Sequence, residues 1–440
     1  TSKHYQGRMW RMLTRKMKDS GIEWIGKIPE DWEVVKLGIV ADISTGNTPK
    51  DPDNIKYSKS EGVDWLKTNN LLGVDGVSNS SLKIKEQYIS EARLTNPGSV
   101  LVTCIGDIGK LGYTSKPMAF NQQINAITFT KDIVYWKYGM YTLYSQREQQ
   151  ESFANGNVLK ILNRENQKKV VITVPNDINK QIKISNALDK ICLYIRKIVD
   201  KTQQSIEELK KYKQSLITEA VTKGLDPNVE MKDSGIEWIG KLPIHWTVSK
   251  VKQFYKVVSG GTPKSNNTSY WDGDIVWITP ADYQEDDVYV AKSNRTISME
   301  GVQNSSAEIV PRNSIIVSNR APIGKIALTD IELSTNQGCK AMVNKKNINN
   351  KFIYYFMYIM QEVLEEFGHG TTFRELSTEA LKNFKFPVPC IEEQQQIVSY
   401  LDEQTSRIDK LIADKTKVIE ELENYKKSLI YEYVTGKKEV

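Results

Sequence analysis

Catalysis needs particular side chains at particular spacings, so the chemistry-bearing residues of this chain come first. Its three histidines, His4, His245 and His369, stand far apart, which argues against a histidine-based metal centre. Cys104, Cys192, Cys339 and Cys390 are equally scattered and form neither a CxxC zinc pair nor a disulfide framework. Thiols used so sparingly fit a reducing cytoplasm. Gly109-Lys110 and Gly324-Lys325 have the look of phosphate loops. Such a loop needs a glycine five residues before Gly109, where Cys104 stands, and a Ser or Thr after the lysine, where Leu111 and Ile326 stand. No Gly-x-Gly-x-x-Gly follows a strand, and no Asn/Asp-Pro-Pro-aromatic tetrapeptide is present to face an exocyclic amine. Gly106-Asp107-Ile108-Gly109 has the spacing of a GXXG loop. The corresponding stretch further along reads Arg320-Ala321-Pro322-Ile323, which makes a strand turn the better reading. Asp64, Asp282 and Glu285 lack matching acidic partners there. The chain reads as a binder, not a catalyst.

The elements that position these residues come in two copies. Met17–Lys27 and Met231–Lys241 are the same eleven residues, MKDSGIEWIGK, 214 residues apart. The offset persists within a residue or two: Gly46-Asn47-Thr48-Pro49-Lys50 with Gly260-Gly261-Thr262-Pro263-Lys264, Asn121-Gln122 with Asn336-Gln337, Val174-Pro175 with Val388-Pro389. Agreement over this length marks a tandem duplication. Each copy opens with a part rich in Gly, Thr, Asn, Val and Trp, in which Val100–Cys104, Ala126–Thr130, Val170–Val174 and Ser314–Ser318 predict strands. The aromatic segments Tyr135–Phe153 and Lys351–Phe367 predict one core helix per copy.

Each copy closes with a long helix. A walk by fours and threes passes Ile184, Leu188, Ile191, Ile195, Ile198, Leu209, Tyr212 and Leu216 in the first, and Ile397, Leu401, Ile408, Leu411, Val418, Leu422, Tyr425 and Leu429 in the second. That is a heptad seam. A single-striped helix about 65 Å long cannot stand alone in water, so the two stripes are expected to pack on each other, antiparallel. The expected architecture is α+β: two similar mixed α/β domains joined by two long antiparallel coiled-coil helices with internal pseudo-twofold symmetry. The segments are 1–16, an N-terminal stretch; 17–175, the first domain; 176–224, the central helix; 231–388, the second domain; and 389–437, the C-terminal helix.

The balance of charge narrows the partner. Of 440 residues, 39% are apolar and 26% charged, enough for several packed cores, and the net charge of +6 permits a polyanion without demanding one. The longest apolar run, Phe352–Met360, is too short for a membrane span, and the cations from Lys3 to Lys18 interrupt any signal-peptide core. Two heads on a rigid spacer match a bipartite DNA site. Cations at equivalent places, Lys50/Lys264, Lys110/Lys325 and Lys160/Arg374, suit phosphates. Behind the shared Trp65 and Trp277 the copies diverge: Lys67, Thr68, Asn69 and Asn70 face Thr279, Asp282 and Tyr283, residues able to pair with different base edges. Asn121, Gln122 and Gln123, with Asn336 and Gln337, offer amides to adenine. Arg320, Thr371 and Thr372 complete the expected DNA-binding set. Other readings stay open from the residues alone: a stand-alone methyltransferase or nuclease, or a scaffold that spaces two protein-binding heads.

The combination of SGIEWIGKIPEDWEVVKLG, the Gly-x-Thr-Pro-Lys loop, Tyr270-Trp271-x-Gly273-x-Ile275-x-Trp277, the Asn-Gln pair and Pro389-x-x-Glu392-Glu393-Gln394-Gln395-x-Ile397 before Leu401-Asp402 resembles the specificity subunit of type I restriction–modification systems. The resemblance spans residues 17–437. The first copy departs from it with Asn179-Lys180-Gln181 and with Lys56-Tyr57-Ser58, which has no Tyr-Trp pair. It implies two target-recognition domains, each reading half of a split site in double-stranded DNA, and helices that dock two modification subunits. Those partners carry S-adenosylmethionine and methylate adenine N6, while restriction subunits use ATP and Mg for translocation and cleavage. It implies no catalytic residue, cofactor or metal in this chain.

Overall fold

The computed structural model describes residues 15–51, 53, 55–284, 287–320, 322–368 and 374–440. The N-terminal segment before residue 15, Ala321, Glu285, His369, Gly370, Thr371 and Thr372 lie outside the described residues. The chain forms two compact units: residues up to Thr202 with Lys417–Val440, and Gln203–Thr416. Among the described residues no helix is long and apolar enough to cross a membrane.

The repeated eleven residues fold identically in both units. Met17–Asp19 pairs antiparallel with Lys27–Pro29, and Met231–Asp233 with Lys241–Pro243, in the same register. In the first unit a four-stranded antiparallel sheet runs Ala41–Thr45, Ile124–Phe129, Ser99–Thr103, Leu111–Thr114. In the second, Tyr255–Ser259, Cys339–Asn344, Ile315–Ser318 and Ile326–Thr329 repeat that order, and Tyr289–Val290 adds a fifth strand. A smaller sheet in each unit sets the anchor tryptophan strand parallel to its neighbour, Val63–Leu66 beside Ala119–Phe120 and Trp271–Ile278 beside Leu333–Thr335. The expected strands are present within a residue or two. The expected aromatic helices are each two pieces, Trp136–Ser145 with Arg147–Ser152 and Asn350–Ile359 with Gln361–Glu366. Gln146 and Met360 leave helical geometry at the break (ψ 25° and 13°). Sequence periodicity runs through such a one-residue kink without registering it.

The long helices are Ile178–Lys223 and Ile391–Val434. In the first unit Ile184, Leu188 and Cys192 share a core with Leu429, Ile430, Tyr433 and Val434. In the second, Leu216, Ile217, Ala220 and Val221 share one with Ile397, Val398 and Leu401, and the Lys213 ammonium bonds both Asp409 oxygens at 2.7 and 2.9 Å. Within each unit the start of one helix meets the end of the other, the antiparallel pairing expected. The register of the seam needs correction. Ile184, Leu188, Ile195, Leu216, Ile397, Leu401, Ile408 and Leu429 are buried, and Leu209 and Leu422 half-buried. The alternate positions fall one residue later than the walk placed them. Cys192 and Ile206 are buried, while Ile191 and Ile198 are half-buried and Tyr212, Leu411, Val418 and Tyr425 are 57%, 49%, 44% and 54% exposed. Consecutive residues point about 100° apart on a helix. A stripe with apolar side chains at both 191 and 192 therefore does not declare whether a four or a three comes first.

Each head grips its helix at the first turn. The buried Gln181 amide donates to the Ile133 and Pro175 carbonyls (2.9 Å each) and accepts from the Tyr135 N–H (2.8 Å). Gln394 donates to Pro389 O (2.9 Å) and accepts from the Asn349 N–H (2.8 Å). Two turns on, Asp189 accepts from the Tyr141 hydroxyl and pairs with Lys137, as Asp402 does with Tyr355 and Lys351. At the far end of the helices stand Gly224 and Gly436, both at positive φ (77° and 71°). A Cβ on Gly436 would lie 2.5 Å from the Pro29 ring. The helix end thus abuts the repeated hairpin so closely that only glycine fits.

The corrected register makes a direct prediction. Ile206→Asp, burying an unpaired carboxylate, should cost several kcal/mol, whereas Tyr212→Asp should change stability by no more than about 0.5 kcal/mol. Urea melts of the two variants decide between the registers; a larger loss for Tyr212→Asp than for Ile206→Asp would restore the original one.

Candidate nucleic-acid interface

Four loops meet at one edge of each head, and the same contacts hold them in both. The Gly46 N–H donates to Ile124 O and the Asn47 N–H to Phe120 O (3.0 Å each). A Cβ at Gly46 would come within 2.3 Å of Asn121 O, and one at Gly260 within 2.0 Å of Asn336 O. Each glycine is fixed by this close approach of two backbones. The Thr48 hydroxyl donates to Gln122 Oε1, and Thr262 donates likewise to Gln337. The anchor tryptophans tie in from behind: Trp65 Nε1 donates to Asn47 O (3.2 Å) and Trp277 Nε1 to Gly261 O (2.9 Å). The Asn121 N–H meets Leu66 O, and the Asn336 N–H meets Ile278 O. The fourth loop, 104–110 or 319–325, joins through Cys104 N–H to Gln123 O (2.8 Å) and Asn319 N–H to Gly338 O (2.9 Å).

Several residues expected to read bases hold these loops instead. Asn70 is buried; its Oδ1 accepts the Lys67 N–H (2.9 Å) and its amide donates to Ser78 Oγ and Asn79 O. Asp282, at the same place behind Trp277, accepts from the Thr279 N–H (2.8 Å) and hydroxyl (2.6 Å) and twice from Asn294. The Asn-to-Asp difference is thus one structural acceptor replacing another. Tyr283 takes the core position of Leu71, both 1% exposed, with its hydroxyl donating to Lys325 O. Asn121 is buried and closes its own turn with Gln123, and Asn336 closes its turn by accepting the Gly338 N–H. Lys325 is half-buried, with its ammonium on Pro280 O (3.0 Å) and 4.8 Å from the Tyr283 ring centre. Arg320 is paired with Glu375 (3.1 Å). Lys50, Lys67, Asn69, Gln122, Lys160, Lys264, Gln337 and Arg374 remain exposed at the edge, with Thr68, Thr279 and Lys110 partly so.

Sequence reasoning missed two features. The first head has no Tyr-Trp pair, yet Tyr57 does the work of Trp271. Tyr57 packs on Trp65 (5.1 Å between centroids) and its hydroxyl donates to Pro49 O; Trp271 packs on Trp277 (5.2 Å) and its indole donates to Lys264 O. An aromatic with a donor shortly before the anchor tryptophan was the available signal. Lys340 gave no signal. It stands where the first head has Asn125, is 5% exposed, and burial lowers its pKa, with Glu375 opposing that shift and Arg320 adding to it. Burial pushes the thiol of Cys104 up to about 11 and that of Cys339 up to about 12, which leaves both as packing rather than nucleophiles.

The architecture is that of a duplicated α+β binder: two heads, each with the same pinned loop edge, on paired helices. The family model described as "Type I restriction modification DNA specificity domain" matches twice, over residues 29–210 and 243–423. The chain belongs to the type I restriction–modification DNA specificity family and carries two target-recognition domains, as the motifs implied. Among relatives, the MjaIX specificity subunit of Methanocaldococcus jannaschii is 38% identical over 188 residues, 42% of this chain and 43% of that one. The chain thus aligns with less than half of that relative. The putative MjaX specificity subunit of the same organism is 26% identical over 94% of this chain and 95% of its own length. The fold matches a chain from a structural study of type I R-M assembly and conformational transition (TM-score 0.72, 15% identity, 93% of this chain and 99% of that one). It also matches the HsdS subunit from Thermoanaerobacter tengcongensis (TM-score 0.51, 15% identity, 93% and 98%).

If Asn70 and Asp282 lock turns, Asn70→Asp and Asp282→Asn should leave the recognised sequence unchanged. Asp282→Ala, which orphans the Thr279 and Asn294 donors, should cost about 1–3 kcal/mol. Thermal melts together with a map of methylated sites check both; a changed target in either isosteric swap would return these residues to base reading.

Proposed function

We propose that this chain is the DNA-recognition subunit of a type I restriction–modification complex. Each head reads one half of a bipartite duplex site, and the paired helices set the spacer and dock two modification subunits. The observation that carries this is the doubled loop edge: identical backbone ties in both heads, with different outward side chains, Lys67-Thr68-Asn69 against Thr279-Pro280-Ala281. One frame displaying two chemistries is what two different half-sites require.

The reading assigns catalysis to the partners. S-adenosylmethionine and adenine N6 methylation belong to the modification subunits, and ATP with Mg to restriction subunits, all in the cytoplasm where the DNA lies. The purified chain incubated with S-adenosylmethionine and DNA is expected to transfer no methyl group; transfer would favour a stand-alone methyltransferase.

Two further outcomes are expected. Replacing residues 51–96 of the first head by 265–310 should convert its half-site to the second head's while the spacer stays the same. Each wrong base pair should cost about 1–3 kcal/mol, so mapping methylated adenines reads the switch; an unchanged site in an assembled complex would place recognition elsewhere. Neutralising the exposed Lys50, Lys264 or Arg374 should weaken binding to all sequences and flatten the salt dependence by about one counterion each. Lys325→Gln, with its ammonium already on a carbonyl, should leave the salt slope alone. Equal slopes for all four variants would contradict this division.

A further inference from the structure

The first head carries an apolar tip where a polyanion reader should be polar. Asn155 and Ile161 exchange both N–H···O bonds (2.9 and 2.8 Å) and close a tight hairpin. Gly156, at φ 108°, sits so that a Cβ would lie 2.3 Å from Leu159 O, so the turn needs glycine. The hairpin is fastened to the fourth loop of the candidate interface by Gly106 N–H to Lys160 O (3.0 Å) and Leu162 N–H to Cys104 O (2.8 Å). Cys104 is itself tied to Gln123 beside the Thr48–Gln122 contact. The tip is thus continuous with the loop edge and rigidly held. Yet Val158 is fully exposed and Leu159 53% exposed, with Lys160 next to them.

Single exposed apolar residues are unremarkable. Here two adjacent ones are displayed on a pinned turn, within a cationic edge that also carries Lys50, Lys67 and Lys110. The duplication supplies a second observation. At the offset of 214, Leu159-Lys160 corresponds to Phe373-Arg374, so each copy of the sequence sets a large apolar residue before a cation. The anchor just beyond is shared as well: Leu376 N–H meets Asn319 O (2.9 Å) as Leu162 N–H meets Cys104 O. Cations next to an apolar point are the composition of a wedge that enters a duplex while its neighbours hold phosphates.

We infer that Leu159, with Val158 beside it, enters the DNA and unstacks a base step in the half-site read by the first head. The inference rests on the specificity-subunit reading above. Its occupant is the duplex itself: the lysines of the adjoining loops complement phosphates, and a stacked base step offers the apolar surface that Val158 and Leu159 would meet.

The test uses the chain assembled with its modification subunits and a duplex bearing the mapped site, with 2-aminopurine walked through the first half-site. Binding is expected to raise fluorescence at one step. Val158→Ser with Leu159→Ser should abolish that rise and weaken binding about tenfold to a hundredfold, the scale of one or two mismatches. The melting temperature and the salt slope should hold, because both side chains are exposed and uncharged. Lys160→Gln should keep the rise and flatten the slope by about one counterion. Wild-type affinity in the double variant, or no rise at any step with the wild type, overturns the wedge while leaving the DNA reading intact. A wild-type complex that does not prefer the mapped site over a scrambled duplex fails the DNA reading, and the wedge falls with it.

Discussion

Helices of 46 and 44 residues with one apolar stripe each impose the constraint on which the rest depends. Exposed to water on that stripe, neither would persist, because helix stability in proteins comes mainly from burying one face. The duplication answers this by supplying two such helices from one sequence pattern. It also supplies the ends. In the first unit Ile25, Ile28 and Trp32 of the hairpin region pack with Leu429, Ile430 and Val434. In the second, Ile239, Leu242 and Trp246 pack with Ile217, Ala220 and Val221. Ile25 and Ile239 of the repeated stretch thus take the same place at the two helix termini, each with a glycine at positive φ just past the helix.

What the sequence disclosed and what it hid follow from the same physics. Repeats, strands and the existence of two long helices were legible because burial imposes periodicity, and periodicity survives in a single sequence. The heptad parity was not, since Ile191 and Cys192, or Ile198 and Val199, are all apolar and only packing chooses between them. Polar side chains were hardest. Asn70 and Asp282 look like readers because asparagine and aspartate do bind base edges, yet they sit three residues after a backbone N–H they can accept from, the local competition that makes such residues turn formers. Lys325 looked like a phosphate contact and is held by Pro280 O. Spacing to the chain's own backbone, rather than residue type, separates the two fates.

This also explains how one frame tolerates two specificities. The loops are fixed by backbone bonds, by two glycines forced by close approach, and by buried acceptors, none of which constrains the outward side chains. Lys67, Thr68 and Asn69 in one head and Pro280 and Ala281 in the other can therefore differ without moving the scaffold. The outward positions of these loops can therefore vary with the ties intact.

The buried layer beneath the edge has diverged too, in a way that distinguishes the heads physically. Under the first edge lies a neutral chain of amides: Thr45 to Asn125 (2.7 Å), Asn125 to Gln167 (2.7 Å), Gln167 to Gln150 (3.4 Å). In the second head the Asn125 position is Lys340, and the apolar bridge Ile105–Ile161 is replaced by Arg320–Glu375, with Asn319 also donating to Glu375 (2.8 Å). Ion pairs this exposed stabilise little and weaken with salt, while buried amide chains respond weakly to it. Glu375 also sets a negative charge next to Arg374 at an edge otherwise suited to phosphates. The two heads therefore share one geometry over different buried layers, a neutral hydrogen-bonded chain in the first and Lys340 beside the Arg320–Glu375 pair in the second.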